Sequence, residues 1–81
     1  MEIYDFNKLT IDEKTNFAWN SGTFIASIKV EVKAFTLYHT NNFYIEIEYD
    51  RELNSIIAIR TFKRAKRLDK YIDSVELEKL F

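Results

Sequence analysis

Apolar and polar residues alternate without interruption from Phe43 to Asp50, with Phe43, Ile45, Ile47 and Tyr49 on one parity and Tyr44, Glu46, Glu48 and Asp50 on the other. Side chains on a strand point alternately to opposite faces, so this stretch predicts one half-buried β-strand with the first set toward a core and the second toward water. The preceding run, Thr23 to His39, is also β-prone, but its parity changes. Phe24, Ala26, Ile28 and Val30 share a phase that Val32 and Ala34 continue, whereas Phe35 and Leu37 take the other. A phase change sends later side chains to the opposite face, so a bend, bulge or tight turn is expected between Glu31 and Ala34. This gives two strands, about 23–30 and 34–39. A single long bent strand is the alternative, because Val30-Glu31-Val32-Lys33 holds none of the usual hairpin residues.

Thr40-Asn41-Asn42 reads as a turn into the strand at about 43–50, since Asn tolerates a left-handed backbone. Arg51 to Ser55 is polar, contains Asn54 and suits a hairpin loop of four or five residues. The strand that follows, about 56–62, is almost continuously apolar and predicts a central or doubly covered position.

Helical periods flank the strands. Thr10-Ile11-Asp12-Glu13 matches a capping box and opens a helix to about Asn20, with Ile11, Thr15, Ala18 and Trp19 on one side and Phe17 off that stripe. Gly22 stands where a left-handed helix stop is expected. Before this helix, Ile3, Tyr4, Phe6 and Leu9 can anchor the first nine residues. After the last strand, Ala65, Leu68, Ile72 and Val75 form a seam, with Tyr71 beside it. They predict a C-terminal helix of about 63–73, followed by a short final turn carrying Leu77, Leu80 and Phe81. The expected fold is α+β, a two-layer sandwich with an N-terminal helix, a three- to four-stranded antiparallel sheet and a C-terminal helix, both helices on one face.

Composition narrows the classes. Eighty-one residues make one domain with a single core, and 47% hydrophobic with 16% aromatic residues is the profile of a folding chain. The absence of cysteine removes disulfides, thiolate nucleophiles and cysteine-ligated metals. The first residues carry no secretory pattern and no window approaches the roughly 20 apolar residues a bilayer span needs, so a cytoplasmic location is expected. A net charge of −1 gives no bulk attraction to nucleic acid or anionic lipid.

Local charge is less even. Arg60, Lys63, Arg64, Lys66, Arg67 and Lys70 are six of the twelve basic residues. On the predicted C-terminal helix, Lys63, Lys66, Arg67 and Lys70 project away from the apolar seam. Such a stripe can hold phosphates or an acidic protein surface, and it is equally what the wet face of a surface helix looks like. Glu46 and Glu48 share the polar face of their strand with Tyr44, and Tyr38 and Thr36 are candidates to join them. The two carboxylates could bind a hard cation or work as an acid/base pair, but pairing with Lys29 or Arg60 across the sheet is the simpler expectation. Tyr38 and Tyr44 are candidate stacking rings, with the glutamates repelling phosphate beside them. His39 is the only histidine, and no serine lies in a nucleophile-elbow pattern. One glycine cannot supply a nucleotide-binding loop, so no cofactor is expected.

These features favour a small non-enzymatic cytoplasmic protein-interaction or regulatory module that docks a protein partner or self-associates as a homodimer, its material being surplus apolar surface such as Ile25, Tyr38, Tyr44, Ile56 and Phe62. The alternative is a weak nucleic-acid binder using Lys63, Arg64, Lys66, Arg67 and Lys70. A small enzyme or metal-binding protein using His39, Glu46 and Glu48 ranks last. No membrane partner is expected.

Overall fold

The structure is a computed structural model and describes residues 1–40 and 43–63. Two helices, α1 (Ile3–Asn7) and α2 (Ile11–Ser21), precede four strands, β1 (Thr23–Val30), β2 (Lys33–His39), β3 (Tyr44–Asp50) and β4 (Ser55–Phe62). The strands form one antiparallel sheet in the order β1-β2-β3-β4, so the fold is α+β. The expected C-terminal helix, the final turn and Asn41-Asn42 lie outside the described residues. No helix among the described residues is long and apolar enough to cross a membrane.

The capping box forms as its residues require. Thr10 Oγ1 accepts from Glu13 N at 3.2 Å, and Thr10 N donates to Glu13 Oε1 at 2.9 Å, so two otherwise orphaned amides are satisfied at the start of α2. The helix packs on a phase rotated from the expected stripe. Thr15 and Ala18 are buried, Phe17 is half-buried, and Ile11 and Trp19 are exposed. Phe17 turns inward because Phe6 of α1 offers it a ring at 5.7 Å. Phe6 also meets Phe43 at 5.5 Å, so the first nine residues are tied to the sheet by a three-ring contact. Ile3 and Leu9 pack beside it, whereas Tyr4 stays outside under the Lys8 ammonium, 4.2 Å from its ring. Asn7 fixes α1 to β4 by accepting a hydrogen bond from Thr61 Oγ1 at 3.0 Å.

Gly22 ends α2 with an extended backbone (φ −88°, ψ 158°), not the left-handed stop its position suggests. Its lack of a side chain serves a close approach instead. A Cβ there would lie 2.7 Å from the Ala18 carbonyl oxygen and 3.2 Å from Tyr38 Cβ. The left-handed positions belong to Glu31 and Asn54, each with φ 56°. Glu31 and Val32 form a two-residue turn, which settles the parity change as two strands. Arg51 braces that turn from the neighbouring loop, with its N–H donating to the Val32 carbonyl at 2.7 Å and Nη1 to the Glu31 carbonyl at 3.2 Å. In the β3–β4 loop, Asp50 Oδ1 accepts from both Glu52 N and Leu53 N at 2.9 Å, a local turn that holds the hairpin in register.

Both outer strands of the sheet carry a bulge. In β1, Phe24 pairs with Tyr38 and Ala26 with Leu37, leaving Ile25 as an extra residue. In β4, Ala58 pairs with Glu48 and Ile56 with Tyr49, leaving Ile57 extra. The first bulge separates Phe24 from the phase of Ala26 and Ile28. Phe24 then sits on the helix side with Tyr38, Ile45 and Ile47, while Ala26 and Ile28 sit on the opposite face with Phe35 and Leu37. Each face therefore has an apolar cluster: Phe6, Ala18, Phe43, Ile45 and Ile47 on the helix side, and Ala26, Ile28 and Leu37 on the other. The expectation that β4 is central does not hold, because β4 lies at the end of the strand order; its apolar run supplies both faces in turn, Ile56 and Ile59 to one and Phe62 to the other.

Candidate functional site

The register divides the candidate residues between the two faces. His39 pairs with Tyr44 and Tyr38 pairs with Ile45, so Tyr38 and Thr36 lie on the helix side and Tyr44, Glu46 and Glu48 on the opposite one. Tyr44, Glu46 and Glu48 share one face as expected, and the two candidates to join them, Tyr38 and Thr36, lie on the other.

On the face away from the helices, Glu46 and Glu48 are buried, at 4% and 6% exposure, where the alternating pattern suggested solvated carboxylates. Burying a carboxylate is costly unless it is paired. Glu48 uses both oxygens, one with Lys33 Nζ at 2.8 Å and one with Arg60 Nη2 at 2.7 Å. Arg60 also reaches Glu46 Oε1 with Nη1 at 3.4 Å. Arg60 was an expected partner for these glutamates, and the second cation proves to be Lys33, not Lys29. Lys33 lies on β2 beside β3 and on the face of Glu48, whereas Lys29 pairs with Ala34, which pairs with Tyr49, and so lies on the helix side. The Lys33 hydrogen bond, followed by that of Arg60, holds the Glu48 carboxyl below the ordinary carboxylate value against the opposing effect of burial. Glu48 in turn raises both Lys33 and Arg60 above their usual values. Occupied in this way, Glu48 is a cross-strand tie. Among the described residues, no three acidic or histidine side chains converge on a point where a metal ion would sit.

His39 belongs to a ring ladder at one end of the same face. Its ring lies 4.5 Å from Tyr44, which stacks on Phe62 at 5.4 Å and 17°. The histidine thus packs across β2, β3 and β4. Of the basic stripe, Lys63 is exposed at the end of β4, and Arg64, Lys66, Arg67 and Lys70 lie outside the described residues.

The helix side holds a surface that the hydrophobic pattern did not single out. Helix α2 turns its buried residues onto the β3 side of the sheet, and Ile11 and Trp19 are left along its open flank. At Trp19 lies a hollow of about 230 Å³, lined by Thr15, Trp19, Thr36, Tyr38, Ile47, Tyr49 and Ile56. Phe24, 58% exposed, stands against Tyr38 with the ring centroids 6.1 Å apart. Trp19 is 63% exposed. Two polar groups of the wall already have partners, as Thr15 Oγ1 donates to the Ile11 carbonyl at 2.9 Å and the Tyr49 hydroxyl donates to Asn54 Oδ1. The missed signal was Phe17: once that ring is assigned to the core, Ile11 and Trp19 must rotate outward on the same helix. No family model matches the chain, and neither a curated protein nor a solved structure matches it significantly.

Proposed function

We propose that this protein is a non-enzymatic interaction module that docks a protein partner against the helix side of its sheet. The observation that carries this reading is the pair of exposed rings, Trp19 and Phe24, beside an apolar hollow. Scattered surface apolar residues are ordinary, but large rings around a concavity are the usual anchors of protein interfaces. The catalytic and metal reading is weakened by the ties that occupy Glu48 and by the packing of His39 against Tyr44.

The test compares the wild-type chain with Trp19→Ser/Phe24→Ser by quantitative affinity capture, with static light scattering to detect self-association. The doubly substituted protein should keep its far-ultraviolet spectrum and lose binding by roughly ten-fold or more, or about 1.4 kcal/mol. A second copy as the partner would appear as wild-type dimerisation abolished by the same changes. Equal retention of the same proteins by both forms, or none by either with a monomeric wild type, overturns the proposal.

A further inference from the structure

The face of the sheet away from α1 and α2 is closed to water. Leu37 is fully buried, and Ala26, Ile28, Glu46, Glu48 and Asp50 are each no more than 8% exposed. Side chains on one face of a sheet stand side by side, roughly perpendicular to it, so their tips stay wet unless a second layer lies over them. Among the described residues, the side chains packed against Ala26, Ile28 and Leu37 are those of Phe35, Tyr44 and Phe62, and all three rise from the same face. Such neighbours fill the flanks of Leu37 and leave its end to be covered from above. Helix α2 does not supply that cover, since Ala18 packs with Phe6, Phe43, Ile45 and Ile47 on the other side. The burial is that of a single chain, so the covering layer belongs to the chain itself.

We infer that residues 64–81 form this layer as a helix, with Leu68 and Ile72 seated on Ala26, Ile28 and Leu37. The segment begins just beyond Phe62, whose ring already belongs to the closed face, and as a helix it would be about 27 Å long. The outer strands of a four-stranded sheet lie about 14 Å apart, so a segment of this length reaches β1 from the end of β4. Its seam of Ala65, Leu68, Ile72 and Val75 repeats at three, four and three residues, which gives an apolar stripe to set against the apolar cluster. Lys63, Lys66, Arg67 and Lys70 fall on the opposite side of the same helical period, so the seam can be buried while the cations stay in water. The sheet then carries helices on both sides, in place of the two helices on one side that the sequence alone suggests. The inference is independent of the docking surface proposed above. It assigns the second face to the chain's own tail and leaves the helix side to partners.

The test uses the isotope-labelled full chain. Methyl groups of Leu68 and Ile72 should give nuclear Overhauser contacts to the methyl groups of Ala26, Ile28 and Leu37. Contacts to Ile47 or Ile56 instead, or to neither face, overturn the inference. A mixture of labelled and unlabelled chains separates contacts within a chain from contacts between chains, and contacts between chains only would make a second copy the occupant and overturn the assignment. Because the chain has no cysteine, Ala26→Cys places a single thiol on this face. Its reaction with Ellman's reagent should be slow in the otherwise wild-type chain and at least ten-fold faster when Leu68→Asp/Ile72→Asp is added, whereas Lys66→Glu/Lys70→Glu should leave the rate unchanged. If the doubly substituted tail prevents folding, Leu68→Ala should accelerate the reaction in the same direction by a smaller factor. Equal thiol reactivity with and without the seam substitutions overturns the inference.

Discussion

Glu31 holds a left-handed backbone (φ 56°) in the β1–β2 turn, while the only glycine of the chain, Gly22, has φ −88°. The two residues therefore exchange the roles their types suggest. A left-handed backbone costs a side-chain-bearing residue about 1–2 kcal/mol. Glycine returns part of that gain, about 0.5–1 kcal/mol, through the greater freedom of its unfolded chain. Glu31→Gly is thus expected to stabilise the fold by about 0.5–1 kcal/mol, as the difference of these two effects. The Arg51 bonds to this turn go to main-chain carbonyls and survive the change. Gly22→Ala should act in the opposite sense, destabilising by about 1–3 kcal/mol, because its methyl group meets a backbone oxygen that cannot move aside cheaply. Urea unfolding of the two variants beside the wild type checks both signs in one experiment.

The strands at about 43–50 and 56–62, the first cap and the loop between β3 and β4 were legible because each rests on local chemistry: the alternation in β3, Thr10 with Glu13, and the polar stretch around Asn54. Whether 23–39 is one bent strand or two was not legible, because Glu31 and Val32 are not usual turn residues. The faces were legible only in part. Tyr38 and Tyr44 could not be assigned to opposite sides from the pattern alone, because that depends on the pairing register between β2 and β3. Nor does a bulge announce itself inside the apolar stretch Phe24-Ile25-Ala26. The burial of Glu48 depended on two cations from other strands, Lys33 and Arg60, both distant in sequence. That tie makes a prediction about pH. The folded protein holds Glu48 below its ordinary value of 4.5, so the tie stabilises fully above that value and is lost as pH falls through the lower folded value. The wild type should exceed Glu48→Gln in stability at pH 7, and the gap should narrow steadily below about pH 4.5. The cost at pH 7 is expected to be about 1–2 kcal/mol, less than for a fully buried pair, because Lys33 and Arg60 can turn to water. A gap independent of pH would show that Glu48 acts by shape and not by charge.

Across the whole described fold, apolar surface is divided unequally between the sides of α2. Its inner residues close over Phe43, Ile45 and Ile47, while its outer flank leaves Ile11 exposed and Trp19 at the hollow. Such a surface invites unwanted contacts as readily as chosen ones, which gives the paired bulges a wider meaning. The outer strands β1 and β4 are each eight residues long, and each is interrupted by one unpaired isoleucine, Ile25 or Ile57. A growing fibril needs a straight row of amides on which the next copy can lay its own strand, and a bulge twists that row out of line. Deleting Ile25 would keep Phe24 opposite Tyr38 and Ala26 opposite Leu37 while straightening the edge. The expected result is a folded protein that seeds thioflavin-positive fibres sooner than the wild type in shaken solution. By this logic a single extra residue in each outer strand lets the chain display tryptophan and phenylalanine on its surface without becoming a template for its own aggregation.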